Sequence, residues 1–308
     1  MGIEDGEDLI SHLQQSPAIK DITKELYIKK IQTIQTEIWK TDVLHILKHP
    51  KEFVKKLTIW ADKNDLGTHG KNNYFSAVIS LFYHNETFRL ENWDLFQQWK
   101  KIHLEIRHPI NEQYATNTPT PRQAESFVEY HECVRIMNTL GDGTFEKLLL
   151  SMYLIIPPVR SNFANLKIFQ TTPKQKPKGN YIVLGDDPVL VIQQHKTEKN
   201  FQEIRSPLPD ALVKQIHLSL EKVPRDYLFV STRDHTAFKT ERAFNAFANR
   251  ILSKVIKPTF SLTTFRHVFL SRTDLDLKNK TGLELQKFAD LMGHSVGQQK
   301  KYIFMHGV

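Results

Sequence analysis

Cysteine is almost missing from this chain: its 308 residues include one, Cys133. No disulfide can close within the chain, and no zinc site can be built from paired cysteines. A reducing, intracellular setting is the expectation that follows. The surroundings, Tyr130-His131-Glu132-Cys133-Val134, read as a helix face, so a core thiol is expected rather than a nucleophile. Long hydrophobic runs are missing too. The longest, Leu148 to Val159, is interrupted by Ser151 and a Pro-Pro pair, and is too short to cross a bilayer. No membrane partner is expected. Met1 to Glu7 is polar and acidic, unlike a secretory leader. There is no low-complexity tract and no internal repeat. With 40% hydrophobic and 25% charged residues, the composition excludes a disordered chain and predicts a globular one.

What is present begins with charge. Lysine and arginine total 42 against 34 acidic residues, a net +8 that favours a polyanion, most simply nucleic acid. The length suffices for two domains. Residues 1–16 are polar and expected to be flexible. Ser16-Pro17 resembles a helix start, and Ile19, Ile22, Leu26, Ile31, Ile34 and Ile38 recur at helical spacing. Further helices are predicted over 50–63, 71–83 and 92–107, which makes 17–107 a small all-α domain. Residues 108–121 carry prolines and small polar residues without apolar periodicity, and are predicted to be a linker. Helices are expected again over 122–140 and 144–156. The β-rich runs 181–184 and 189–192 flank Gly185-Asp186-Asp187-Pro188, a hairpin signal, and a third strand is expected near 201–204. Helices follow over 209–220 and 240–255, with two more carrying Arg266 and His294. The predicted fold is therefore mainly α with a small antiparallel β-sheet, the second domain covering 122–308.

The chemistry is concentrated near the end of the sequence. Arg266 lies in Thr263-Thr264-Phe265-Arg266-His267, and Met292-Gly293-His294-Ser295 is followed eight residues later by Tyr302. On one phosphodiester, the arginine would hold the phosphate, the histidine would donate to it and the tyrosine would attack it. Upstream, Arg160 follows the apolar run and Pro157-Pro158, where a rigidly held guanidinium could fork two phosphate oxygens. Lys196 sits in the turn after the second predicted strand and could protonate a leaving oxygen, with Lys199 as its competitor. Lys300 and Lys301 flank the tyrosine and would position a DNA backbone.

Arg160, Lys196, Arg266, His294 and Tyr302, in this order, resemble the tyrosine recombinases and phage-type integrases. In that family an arginine follows an apolar helix and a lysine sits on a β-hairpin. A His-x-x-Arg motif then precedes Leu-Gly-His and the nucleophile; this chain reads Leu291-Met292-Gly293-His294. The resemblance covers most of 122–308, and the preceding helical domain is similar in architecture to the family's core DNA-binding domain. It implies an α/β catalytic domain that cuts and rejoins double-stranded DNA through a 3′-phosphotyrosyl link. It further implies neither metal nor nucleotide cofactor, and a homo-oligomer, a tetramer on two sites.

Two positions depart from the family pattern. Thr263 stands where the motif has histidine, so Thr263, or His267 four residues on, becomes the candidate phosphate donor. Asn162 or Phe163 stands where an acidic residue commonly follows the first arginine. Two other readings stay open: a type IB topoisomerase-like enzyme that relaxes DNA, and a non-catalytic DNA-binding protein derived from a recombinase.

Overall fold

In a computed structural model the described residues are 6–195, 203–277 and 279–304. Two compact units divide the chain between Gln113 and Tyr114.

The first unit is helical: α1 (Gly6–Gln15), α2 (Asp21–Thr33), α3 (Val43–Lys48), α4 (Pro50–Lys63), α5 (Thr68–Tyr83), α6 (Glu86–Glu91) and α7 (Trp93–Ala115). Sequence chemistry sets several of the starts. Asp42 and Asn85 accept from the backbone N–H groups of His45 and Phe88, and Pro50 opens α4 where its missing N–H costs nothing. The core is aromatic. Phe53 packs at 5.1 Å against Phe75 and at 5.4 Å against Trp99, whose indole N–H donates to the Leu47 carbonyl at 2.8 Å.

Three expectations change here. Residues 6–15 are not a flexible tail but α1: Leu9 and Leu13, four apart on one face, are both 0% exposed. The next helix starts at Asp21 rather than Pro17, and two of its predicted inward residues, Ile22 and Leu26, are 66% and 54% exposed. Helical spacing gives the apolar stripe but not how much of it a partner covers. Finally, the irregular stretch expected from His108 is helical up to Ala115. Pro109 removes one N–H from α7, and the buried Ile110 beside it anchors the next turn to apolar surroundings.

In the second unit, α8 (Pro121–Ser126) opens with a capping box in which Thr120 and Gln123 satisfy each other's backbone. The single helix expected over 122–140 is two, α8 and α9 (Tyr130–Thr139). Gly143, at φ 71°, turns the chain into α10 (Phe145–Leu154); a Cβ there would lie 2.5 Å from the Leu218 carbonyl oxygen. Every residue of α10 from Leu148 onward is buried. Cys133 is buried against this core, and burial pushes its thiol up to about 12.

The sheet has four strands in the order β1 (Lys167–Phe169), β2 (Tyr181–Val183), β3 (Val189–Ile192) and β4 (Ile204–Pro207). It is mixed rather than purely antiparallel. β1, which sequence periodicity misses, pairs parallel to β2, while the other two pairings are antiparallel. Three residues are too few to display a period of two. β1 is held from outside instead, its Ile168 N–H donating to the Asp226 carbonyl at 2.8 Å. The last strand begins at Ile204, where the expectation had it ending. Beyond the sheet come α11 (Asp210–Lys222), α12 (Glu241–Val255), α13 (Leu262–Leu270), α14 (Gly282–Leu291) and the short α15 (Val296–Lys300). Among the described residues no helix is long and apolar enough to cross a membrane.

Candidate functional site

Arg266 is the centre of the site. It lies on α13, which opens with a Ser261–Thr264 capping box, and is only 2% exposed. One guanidinium nitrogen donates to the Met292 carbonyl at 2.5 Å, while the buried Nε has no partner. Burial brings this group down to about 10, although the Tyr302 oxygen beside it opposes the fall. An arginine stays charged there at neutral pH, with hydrogen-bonding capacity to spare.

Arg160 follows α10, and its turn is pinned from several sides. The Tyr153 hydroxyl donates to the Arg160 carbonyl at 2.6 Å. The Asn162 side-chain amide donates to the Gln194 carbonyl at 3.0 Å, and Asn180 donates to the carbonyls of both Asn162 and Gln194 at 3.1 Å. Asn162 therefore ties the Arg160 turn to the chain just past β3. It was not readable as a clamp because its amide's partner is a backbone carbonyl 32 residues away. Lys196 and Lys199 lie outside the described residues.

His294 was expected on a helix, but sits in the turn between α14 and α15. Gly293, at φ 65°, makes that turn, and His294 is 3% exposed. In the tautomer that donates from Nδ1 to the Ser295 carbonyl at 3.2 Å, the buried Nε2 keeps a lone pair and has no partner.

Tyr302 brings these groups together. The Arg266 guanidinium lies 4.9 Å from the centre of its ring, and the His294 ring lies at 5.7 Å. Burial alone would raise its phenol. The charges of Arg266 and Arg160, with hydrogen bonds from Arg160 and Gln298, outweigh that and leave it below its ordinary 10. Gln298 was missed in the sequence; its signal is its place four residues before the tyrosine.

His267 engages the tyrosine and its neighbour Phe304. Its Nδ1 donates to the Tyr302 carbonyl at 3.0 Å, its ring stacks on Phe304 at 4.1 Å, and it meets the Tyr302 ring edge-on at 5.0 Å. Thr263 is exposed, and its hydroxyl bonds Ser261 at 2.9 Å. It lines a small cavity of about 330 Å³ with Arg122, Thr264 and His267. Lys300 and Lys301 are exposed, with the Lys301 ammonium 4.9 Å from the centre of the Tyr114 ring. Two roomier clefts are a groove of about 720 Å³ along Tyr181, Val183 and Arg205, and one of about 710 Å³ lined by Gln299, Lys300, Ile303 and Phe304 beside α15. Among the described residues, no group of three or more His, Cys, Asp or Glu gathers to hold a metal.

Burial holds both site histidines neutral, at about 4, with the neighbouring arginine charge acting in the same direction. The ordinary value is 6.5, so between 6.5 and 4 the unfolded chain takes up protons that the folded chain refuses. Their contribution to stability is present above pH 6.5 and is lost as pH falls toward 4. Melting temperature measured across this window is expected to fall steadily. A flat profile would mean the rings are not held neutral.

No protein-family profile matches the chain, and no curated protein matches it in sequence. Solved structures do. The Tn1549 transposon integrase in complex with transposon right-end DNA aligns over 99% of this chain and 96% of its own, with TM-score 0.62 and 13% identity. The same integrase with circular-intermediate DNA covers 92% and 95%, with TM-score 0.51 and 15% identity. The XerA recombinase covers 97% and 94%, with TM-score 0.43 and 16% identity. The chain has the fold of the tyrosine recombinases and integrases.

Proposed function

We propose that this chain is a site-specific tyrosine recombinase or integrase that cuts and rejoins double-stranded DNA through a 3′-phosphotyrosyl intermediate. The observation that carries the reading is the convergence of two arginines and a neutral histidine on one tyrosine, with Arg266 Nε and His294 Nε2 both buried and unpartnered. Buried polar atoms are rarely left unpaired, and a phosphoryl group would pair with both.

The phenol oxygen of Tyr302 attacks phosphorus as the bond to the 5′ oxygen breaks. Arg266 and Arg160 hold the charge that builds on the non-bridging oxygens. His294 Nε2 can accept the phenol proton and then donate it toward the phosphoryl group. Lys196 is assigned the proton that the leaving 5′ oxygen requires. The phosphotyrosyl link conserves the phosphodiester energy, so the return attack by a 5′ hydroxyl needs no nucleotide. The basic balance of the chain suits the DNA backbone, with Lys300 and Lys301 beside the tyrosine. The first unit is proposed as the core DNA-binding domain, joined to the catalytic domain by the end of α7 and residues 116–120, and the DNA-bound form as a tetramer on two sites within the cell. A transposon integrase of the same fold favours a mobile element as the source of the DNA ends.

A nicked suicide duplex carrying the element's ends tests this reading. Wild-type protein is expected to form a covalent adduct and then exchange strands between two sites. Supercoil relaxation by dilute monomer, without exchange, would move the assignment to a topoisomerase. No adduct at all would leave a DNA-binding protein.

Thr263 favours slow chemistry, since an exposed hydroxyl bonded to Ser261 is a weak phosphate donor. Thr263→His is expected to raise the rate of adduct formation by about tenfold, the worth of one good hydrogen bond to the transition state. An unchanged rate would show that this position does not reach the phosphate.

A further inference from the structure

We propose that His267 is a positioning residue for Tyr302, fixing the nucleophile's backbone to the helix that carries Arg266. This rests on the recombinase reading and adds to it a residue that the motif does not contain.

The backbone of the tyrosine has little support from its own helix. The helix before it, α15, is five residues long and ends at Lys300, and Tyr302 follows in a turn closed by the bond from its own N–H to the Gln299 carbonyl. A one-turn helix is marginal by itself. Three ties run from this segment to α13 and its end. His267 Nδ1 donates to the Tyr302 carbonyl at 3.0 Å. Phe304 stacks under the His267 ring at 4.1 Å with 13° between planes. The Phe304 N–H donates to the Ser271 hydroxyl at 2.8 Å. Phe304 is itself wedged against Phe127 at 5.5 Å.

Arg266 and His267 are successive residues of one helix, so their side chains leave it about 100° apart. One reaches the ring of Tyr302 and the other its carbonyl. The group that would hold the phosphate and the group that would attack it therefore share one rigid base. An attacking oxygen must stay within a fraction of an ångström of its line of approach, and small misplacements cost orders of magnitude in rate. The neutral ring suits this task, since a donor to a carbonyl needs an N–H and no charge. A satisfied core histidine would use the same hydrogen bond, so the test has to separate position from mere stability.

His267→Asn places an amide N–H where Nδ1–H stands; His267→Phe keeps the stack on Phe304 and removes the donor. Adduct formation at saturating DNA, DNA affinity, melting temperature and the titration of Tyr302 by ¹³C-tyrosine NMR would be followed for both. His267→Phe is expected to slow adduct formation by about tenfold or more with DNA affinity within about twofold, from loss of one orienting bond. Its Tyr302 phenol should return toward 10 as the ring drifts from Arg266. His267→Asn should recover most of the rate and keep the phenol low. Equal behaviour of the two variants, in rate and in titration, overturns the proposal. The titration reads the position of Tyr302 with or without catalysis. Absence of adduct in the wild type, beside a phenol that moves only in the Phe variant, would sink the recombinase reading and leave the positioning role standing.

Discussion

Tyr302→Phe is expected to abolish covalent capture of DNA while leaving DNA affinity and melting temperature close to those of the wild type. The substitution removes one oxygen and nothing else. The ring still lies under Arg266, meets His267 edge-on and leaves the Tyr302 carbonyl bonded to Nδ1, since these contacts use the ring faces and the backbone. What disappears is the group whose phenol is held below 10 by Arg266, Arg160 and Gln298. No neighbouring hydroxyl replaces it: the Tyr153 hydroxyl is committed to the Arg160 carbonyl and Thr263 is bonded to Ser261. Loss of a covalent nucleophile leaves only background chemistry, so adduct yield should fall by at least ~10³-fold. Denaturing gels of the suicide duplex read this directly. Adduct at wild-type levels would mean that another residue attacks.

Arg266→Met should show the opposite of what a structural arginine predicts: nearly complete loss of cleavage without loss of stability. A guanidinium that is 2% exposed, bonded to the Met292 carbonyl and the Tyr302 phenol but with an unpartnered Nε, pays a desolvation cost that its contacts within the fold do not fully return. Methionine fills similar volume with no charge to desolvate. The variant is therefore expected to melt at the wild-type temperature or above it, a gain of up to about 1–2 kcal/mol. Adduct formation should fall by about 10²–10³-fold, the range for removing one preorganised donor from a developing oxyanion. Arg266→Lys should restore little, because an ammonium supplies charge but not the fork. A strongly destabilised Arg266→Met protein would refute the account, since the arginine would then be structural glue.

The sequence made the helices of the second unit legible because their apolar residues recur over three turns or more, as in α11 and α12. It failed where an element is too short to show a period, as with β1, or where covering depends on distant chain, as with Ile22 and Leu26. α1 was passed over because two leucines in a polar stretch look like noise until both prove fully buried. At the site, residue types and order group Arg160, Arg266, His294 and Tyr302 as candidates, and the fold brings the other three to Tyr302. Order does not give direction. Nothing in Arg266-His267 says that the first side chain turns to the ring and the second to the carbonyl. Nor does Asn162 reveal, before the sheet is known, that its amide lies against Gln194.

Asn162 carries one more consequence. An amide at that position bonds the chain together as a carboxylate might, but contributes no negative charge. Among the described residues neither Arg160 nor Arg266 has a carboxylate partner, and the Arg160 charge helps lower the Arg266 guanidinium. Two like charges thus act on each other with no carboxylate to offset them. On the proposed function, a phosphate of the DNA backbone would supply the counter-ion that these two arginines do not find in a carboxylate of the fold. Substrate binding and folding of the second unit then become linked equilibria, each strengthened by the other.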